Sequence, residues 1–461
     1  MIERIGTRKS TRNRNMKIAF VNQPIDTILP PFQTSVGACT YGLASSLAKF
    51  CDVTVYGLKD RNDGAGRDAH CPNVRFVFLP SAKSDRLMSG ARETCSKLLQ
   101  LKSPASSSRW SYPAFGRHVA TDLQRQHFDV IHVQHCSQYV PIIRALNPNA
   151  KIVLHLHAEW FPQNGPAVLE RRLQDVDLVT AVSDYITGKT RQQFPSIASR
   201  CETLYNGVEA DEFSRERNYD NRRREKRIIY SGAVSPHKGI HVLLDAFKYV
   251  VKRFPGVRLD IIGFQGSYGL EETFDMTDKA LVGSVSRFYA KNRVSRVKAK
   301  LSLGPADAGT YLSYLKSQLS PDIADKVSFL GFIPRPQLIE RYYDADVCAF
   351  PPIWDEGFGI PPVEAMAAGV PVVGSRSGAL VETIKDQQTG ILVEKNDAVG
   401  LGDALLRLLE NDTLRDMMGK AARRRMLTRF TWEQAAQSAV IQYRALCEEG
   451  SQVGGPCLSK C

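Results

Sequence analysis

The sequence predicts an α/β protein of two domains, each organised around a parallel sheet. Three observations carry this. Short apolar runs, the length of buried strands, alternate with stretches of helical spacing. A segment at 214–227, SRERNYDNRRREKR, is almost devoid of apolar side chains and is expected to contribute to no core. Beyond it the alternation starts again. At 461 residues the chain has room for two or three domains. Its 43% hydrophobic and 24% charged residues are those of an ordinary globular protein, which excludes wholesale disorder and fibrous repeats.

In chain order, residues 1–15 read as a disordered basic leader. Arg4, Arg8, Lys9, Arg12 and Arg14 occur there without the apolar stretch that a secretory signal needs. The first domain, 16–211, has apolar runs at 18–21, 53–56, 74–79, 130–133, 152–154 and 178–181. Its first crossover helix is expected at 41–50, where Leu43, Leu47 and Phe50 share a face. Residues 212–227 form the linker. The second domain, 228–429, opens with a strand at 228–230 and a helix whose Ile240, Leu243, Leu244, Phe247, Val250, Val251 and Phe254 recur every three or four residues. Strands follow at 259–262, 327–330, 347–350, 370–373 and 391–393. An insertion at about 264–321 carries Arg287, Lys291, Arg293, Arg296, Lys298 and Lys300, a solvated face or a docking surface for lipid or an acidic partner. A helix at 430–449 and a flexible tail at 450–461 complete the reading.

Lys and Arg total 61 against 48 Asp and Glu, a net +13 that favours an anionic partner: nucleotide phosphates, nucleic acid or an acidic membrane surface. The basic residues lack the interleaved aromatics of an RNA-binding motif, so nucleic acid has the least support. No run of 18 apolar residues occurs, and any membrane contact is expected to be peripheral. The ten cysteines are scattered without CxxC pairs and read as reduced thiols of a cytoplasmic protein, at most peripheral to the inner face of a membrane. No cluster has zinc spacing and no DxD-type pair stands in a suitable setting, so no metal or other cofactor is required. Asn22-Gln23-Pro24 follows the first strand, where a dinucleotide-dependent oxidoreductase would carry GxGxxG.

Two segments carry chemistry. From Gly232 to Gly239 the chain passes from strand to helix, so backbone N–H groups and the positive helix end converge beside Lys238. That is an anion site by geometry. In 351–373, PPIWDEGFGIPPVEAMAAGVPVV, seven residues separate Glu356 from Glu364. Glu356 falls in a loop. Pro361 and Pro362 open a helix without sacrificing a helical hydrogen bond, and Glu364 lies in its first turns. Gly357 and Gly359 allow close backbone approach, and two carboxylates suit the adjacent hydroxyls of a sugar and a ribose.

This spacing and its surroundings resemble the retaining, two-domain GT-B glycosyltransferases of family 4. The resemblance extends to 205–213 (YNGVEADEF), the Gly232 to Gly239 loop, 327–343 (VSFLGFIPRPQLIERYY) and 375–390. It implies two Rossmann-like domains facing each other across a cleft, with the last helix crossing back to the first. It also implies transfer of a sugar from a UDP-, GDP- or ADP-linked donor to a hydroxyl of a saccharide or lipid-linked acceptor, with retention of configuration, in polysaccharide, glycolipid or related glycoconjugate synthesis. By position, the resemblance places Glu356 at the donor sugar together with His157 of 154–159 (LHLHAE), His155 being the second candidate. It places Glu364 at the ribose, Gly232 and Lys238 at the diphosphate, and the main chain of Phe332 and Ile333 at the base. The amides of Gly357, Phe358, Gly359 and Ile360 are implied to hold sugar and distal phosphate, and Ser35 and Gly37 fall in a phosphate- or acceptor-facing loop. The chain departs from the family pattern at Ala233, where an arginine is usual, and at 33–37 (QTSVG) and Ser377-Gly378, where Gly-Gly is usual. A same-fold nucleotide-sugar epimerase or phosphorylase is the nearest alternative. A catalytically weak nucleotide- or nucleic-acid-binding protein is the other.

Overall fold

The structure, a computed structural model, describes residues 15–59, 71–85, 87–88, 111–158, 166–217, 225–264, 279–288 and 308–452. Residues 1–14 of the basic leader, Glu159, most of the insertion, residues 89–110, the middle of the linker and residues 453–461 of the tail lie outside the described residues, and 450–452 continue the last helix. The described strands form two sheets. The first holds β1 (Lys17–Val21), β2 (Asp52–Leu58), β3 (Val74–Leu79), β4 (Val130–Gln134), β5 (Lys151–Leu156), β6 (Leu178–Ala181) and β7 (Cys201–Thr203), in the order 3-2-1-4-5-6-7. The second holds β8 (Lys226–Ser231), β9 (Val257–Ile262), β10 (Val327–Gly331), β11 (Val347–Phe350), β12 (Val372–Ser375) and β13 (Gly390–Val393), in the order 10-9-8-11-12-13. Every pairing is parallel. Each sheet reverses its order beside its first strand, which makes each domain Rossmann-like and opens a crevice at the carboxyl ends of β1 and β4 and of β8 and β11.

The apolar runs form strands because both faces are covered. On β1, Ile18 and Phe20 point into one core and Ala19 and Val21 into the other. Helix α1 (Ser35–Leu47) begins six residues before the expected start, because the Thr34 hydroxyl caps it by accepting from Gly37 N at 3.2 Å. The strand expected at 370–373 lies instead at Val372–Ser375. Pro371 has no N–H for a ladder, and Val370 N is spent on Ala365 O, closing the preceding helix. The 214–227 segment is not wholly outside the cores. Lys226 opens β8 in a buried network with Asp412 and Asp346, at 3.0 and 3.8 Å. The margins of the insertion are packed as well: Val285, Tyr311 and Leu315 are buried.

The helices that matter for the site are α1, α2 (Asp184–Gln193), α3 (Ile240–Arg253), α4 (Arg335–Asp344), α5 (Ile360–Ala367), α6 (Asp412–Arg429) and α7 (Trp432–Gln452). The last of these crosses back. Trp432, Ala435, Ala436, Ala439, Val440 and Tyr443 recur at three- and four-residue spacing and pack on Ile18, Phe20, Leu43, Leu47, Val130 and Val153 of the first domain. Gly42 makes this docking possible, since a Cβ there would lie 2.2 Å from Trp432 Nε1. Gly42→Ala gains roughly 1 kcal/mol of helix propensity and incurs an overpacking cost of about 1–3 kcal/mol. We expect a net loss of stability in urea unfolding. A gain would show that α7 does not seat on Gly42.

Candidate active site

The second domain's half is assembled by loops at the carboxyl ends of β8, β10 and β11. Beyond Gly232 the chain makes a 3-10 turn over Pro236–Lys238 before α3. Gly239, at φ 70°, joins the two, and a Cβ there would lie 1.9 Å from Pro351 O. Only glycine fits both the conformation and the space. Ile353 N donates to His237 O at 2.9 Å, so the two loops are stitched together. Lys238 Nζ then lies 2.6 Å from Glu356 Oε2 and 4.8 Å from the centre of the Trp354 ring. Trp354 Nε1–H donates to the same carboxylate oxygen at 3.2 Å. The Ser377 hydroxyl accepts from Glu356 N at 3.2 Å and donates to Trp354 O, while Ala379 N donates to Glu356 O at 2.8 Å. The departure from Gly-Gly at Ser377 therefore supplies a side chain that fixes the Glu356 loop.

Gly359, at φ 86°, precedes α5, whose first turn contains Pro361 and Pro362 and whose N-terminus no side chain caps. The Phe358 ring is buried against Tyr205 and Phe430, so its main chain is the part that faces the site. Glu364, 5% exposed, accepts the Tyr342 hydroxyl on Oε2 at 2.9 Å and pairs through Oε1 with Arg335. Arg335 in turn forks onto Glu212, its Nε and terminal nitrogen at 2.8 and 2.6 Å from Oε2. Burial opposes the charge on Arg335, but Glu364 and Glu212 more than offset it and its pKa is raised. Sequence reasoning missed Arg335, Tyr342 and Trp354, although all three stand inside segments already singled out. Phe332 is half exposed, with its ring 5.2 Å from that of Phe32 in the first domain, and Ile333 packs on the second-domain core.

The first domain's contribution follows from strand alternation. On β5, Leu154 and Leu156 enter one core, so His155, and His157 just beyond the strand, point to the opposite face. On β4, His132 and Gln134 share that face. His132, His155 and His157 form a column, neighbouring ring centres 5.1 and 4.7 Å apart. His132 Nδ1 pairs with the Tyr443 hydroxyl of α7 and His155 Nδ1 with Thr180 Oγ1 at 2.8 Å. His157 Nε2–H donates to Gln134 Oε1 at 2.7 Å, which leaves Nδ1 as an acceptor. Burial lowers all the pKa values: His132 to about 3, His135 to about 4, and His155 and His157 well below the ordinary range. The imidazoles are neutral. Asp26, buried beside Thr34, is pushed up to about 6 by its burial.

The two halves meet. A Cβ on Gly357 would lie 2.6 Å from His157 O, so the main chain of the two domains touches beside Glu356. Glu382 of the second domain caps α2 of the first, accepting from Asp184 N at 2.8 Å and from Tyr185 N at 2.5 Å. The structure thus gathers Lys238, Glu356, Gly357, Phe358, Gly359, Ile360 and His157, with Glu364 one turn into α5, while Gly232 N is spent on Ile262 O at 3.0 Å and Gly232 is no free amide donor. It does not bring Gly37 into that group as an amide donor: Gly37 N is spent on Thr34, and a Cβ on Gly37 would lie 2.0 Å from Thr27 O. Ser35 is exposed at the start of α1. Among the described residues no group of three or more His, Cys, Asp or Glu could hold a metal, and no helix is long and apolar enough to cross a membrane.

Residues 36–212 match the family described as glycosyltransferase family 4, and residues 212–425 match glycosyl transferases group 1. The chain belongs to the family 4 glycosyltransferases. This glycosyltransferase is 26% identical over 341 residues to spore coat protein SA of Bacillus subtilis, spanning 70% of this chain and 80% of that one. It is 29% identical over 352 residues to the phosphatidyl-myo-inositol mannosyltransferase of Mycobacterium tuberculosis, spanning 74% and 80%. Anabaena Alr3699/HepE, solved in complex with UDP-glucose, is similar in fold at a TM-score of 0.63 and 18% identity, with 95% of this chain and 100% of that chain covered. Sucrose-phosphate synthase from Thermosynechococcus elongatus is similar at 0.62 and 21%, with 94% and 100% covered. The fold of this glycosyltransferase is GT-B.

A neutral buried histidine must take a proton when the chain unfolds below pH 6.5, so its stabilising contribution is present above that pH and is lost as the pH falls. Between pH 6 and pH 4, His132→Gln is expected to reduce the slope of unfolding free energy against pH by up to about 1.4 kcal/mol per unit. Urea unfolding across that range measures it. An unchanged slope would mean that His132 is charged in the fold.

Proposed function

We propose that this glycosyltransferase moves a sugar from a nucleotide-diphosphate donor to an acceptor hydroxyl with retention of configuration. The observation that carries the reading is the convergence of Lys238, Glu356 and the uncapped start of α5 at the second domain's crevice, with His157 pressed against them from the first. Lys238 and the amides from Gly357 to Ile360 are a cationic and dipolar cradle for a diphosphate. The cradle has less charge than the family pattern supplies, since Ala233 stands where an arginine is usual. Glu356, held by Lys238 and Trp354, accepts sugar hydroxyls, and neutral His157 offers Nδ1 to another. Glu364 accepts the ribose hydroxyls, and the main chain of Phe332 and Ile333 borders the base.

In this reading the bond from the anomeric carbon to the diphosphate oxygen breaks, and a bond to the acceptor oxygen forms on the same face. The acceptor's proton passes to the departing phosphate. The neutral histidine face keeps no competing cation beside the sugar. Lys238 and the helix start stabilise the charge that grows on the leaving group. UDP-glucose in the similar fold of HepE supports a nucleotide-sugar donor, and the inositol-lipid substrate named for the mycobacterial relative supports a lipid-linked acceptor. The net charge of +13 suits peripheral contact with an anionic membrane while the acceptor is taken.

Melting curves with UDP, GDP and ADP and their common sugars test the donor site, because a ligand that binds only the folded state raises its stability by about 2.7 kcal/mol at 100 times Kd. A shift confined to one base, absent in Glu364→Ala, is expected. With that donor and a competent acceptor, Glu356→Ala should lower turnover by roughly 100-fold or more. No shift with any nucleotide would move the binding-protein reading forward, and donor consumption without transfer would point to an epimerase or phosphorylase.

A further inference from the structure

We propose that Arg335 is a positioning residue of the donor site: it fixes Glu364 to receive a ribose diol and, through Glu212, ties that carboxylate to the connector between the domains. The inference rests on the reading of Glu364 as the ribose acceptor and adds to it the residues that make this carboxylate competent. Glu364 is 5% exposed, and a carboxylate so buried needs a cation and further hydrogen bonds. Arg335 supplies the cation at Oε1 and Tyr342 the second donor at Oε2. A carboxylate has about four acceptor positions, so each oxygen keeps one for a hydroxyl. Two vicinal hydroxyls are the ligand that geometry fits.

Arg335 is itself held in place. Its Nε and a terminal nitrogen fork onto Glu212, and its guanidinium lies 6.0 Å from the Phe213 ring. Phe213 is fully buried, and its carbonyl accepts from Arg423 of α6 at 2.7 Å. Glu212 and Phe213 belong to the chain that leaves β7 of the first sheet and enters β8 of the second. The ribose carboxylate therefore reaches the interdomain connector through the Arg335 guanidinium on Oε1, while Tyr342 on Oε2 lies against the Phe213 ring, centroids 6.4 Å apart. Removing that guanidinium leaves Glu364 a buried charge with only the Tyr342 hydroxyl as donor, so the carboxylate is no longer held in place. In this reading phosphate and base are held by Lys238, the amides from Gly357 to Ile360 and the main chain of Phe332 and Ile333, and not by the Arg335 side chain.

The test compares whichever of UDP, GDP and ADP the wild type binds with its 2′-deoxy counterpart, by calorimetric titration. Wild type should prefer the ribonucleotide. Arg335→Gln should weaken ribonucleotide binding roughly 10-fold and leave the deoxynucleotide unchanged, so that the preference disappears. Arg335→Lys should restore part of it, and Glu212→Gln should produce a smaller loss in the same direction. A general packing defect would weaken both nucleotides alike, and that result, or no effect in Arg335→Gln and Glu212→Gln, overturns the proposal. If Arg335→Gln does not fold, the Arg335→Lys and Glu212→Gln ratios decide. Glu364→Gln separates the two levels of the argument: if it keeps the full ribose preference, the reading of Glu364 fails and the role of Arg335 fails with it.

Discussion

The close approach of Gly357 to the carbonyl of His157 is the constraint on which the rest of the site depends. Parallel strands bring their functional loops to one end of each sheet, so a two-sheet protein can combine them only if those ends face each other and nearly touch. Here they touch main chain to main chain. All three of the nearest atoms to a Cβ placed on Gly357 belong to the other domain, at 2.6, 3.6 and 3.8 Å. Glu382 on the start of α2, Phe32 on Phe332 and Phe358 beside Tyr205 support the same closed arrangement from other directions. The docking of α7 on Gly42 fastens the far side of the first domain.

The two halves that meet are electrically different. In the second domain Lys238 faces Glu356 and Arg335 lies between Glu364 and Glu212, so the charged groups there are joined by shared hydrogen bonds. In the first, a column of buried imidazoles presents neutral donors and acceptors. In the proposed reading a diphosphate would find its attraction on one side only, and a sugar held between the two sides would meet uncharged groups on the other. Burial and strand alternation suffice to produce the neutral face. The charged one needs residues from separate loops.

That difference explains what could be read in the sequence. Fully buried parallel strands are continuous apolar runs, so nearly every strand was legible; β7, three residues long, was not. The start of α1 was hidden because Ser35, Val36 and Gly37 carry little apolar signal and the cap is a single threonine. Glu356, Glu364 and Lys238 were legible because each sits in a short segment with its own glycines and prolines. Arg335 was not, since its partners lie 29 and 123 residues away and no local pattern joins them. Gln134 could have been found: it shares the two-residue alternation of His132 and lies beside the strand that His157 follows. The charged linker misled in one respect, because Lys226 is a buried strand residue whose charge is matched by aspartates more than a hundred positions away.

The most direct measurement is made on Gly357→Ala, with nucleotide binding and sugar transfer determined on the same preparation. Gly357 does not occupy a left-handed conformation, so alanine fits the second domain and conflicts only with the first. The account predicts nucleotide affinity close to that of the wild type and turnover lowered by roughly 100-fold, because the halves can no longer meet. Unimpaired transfer by this variant would contradict the claim that contact between Gly357 and His157 assembles the site.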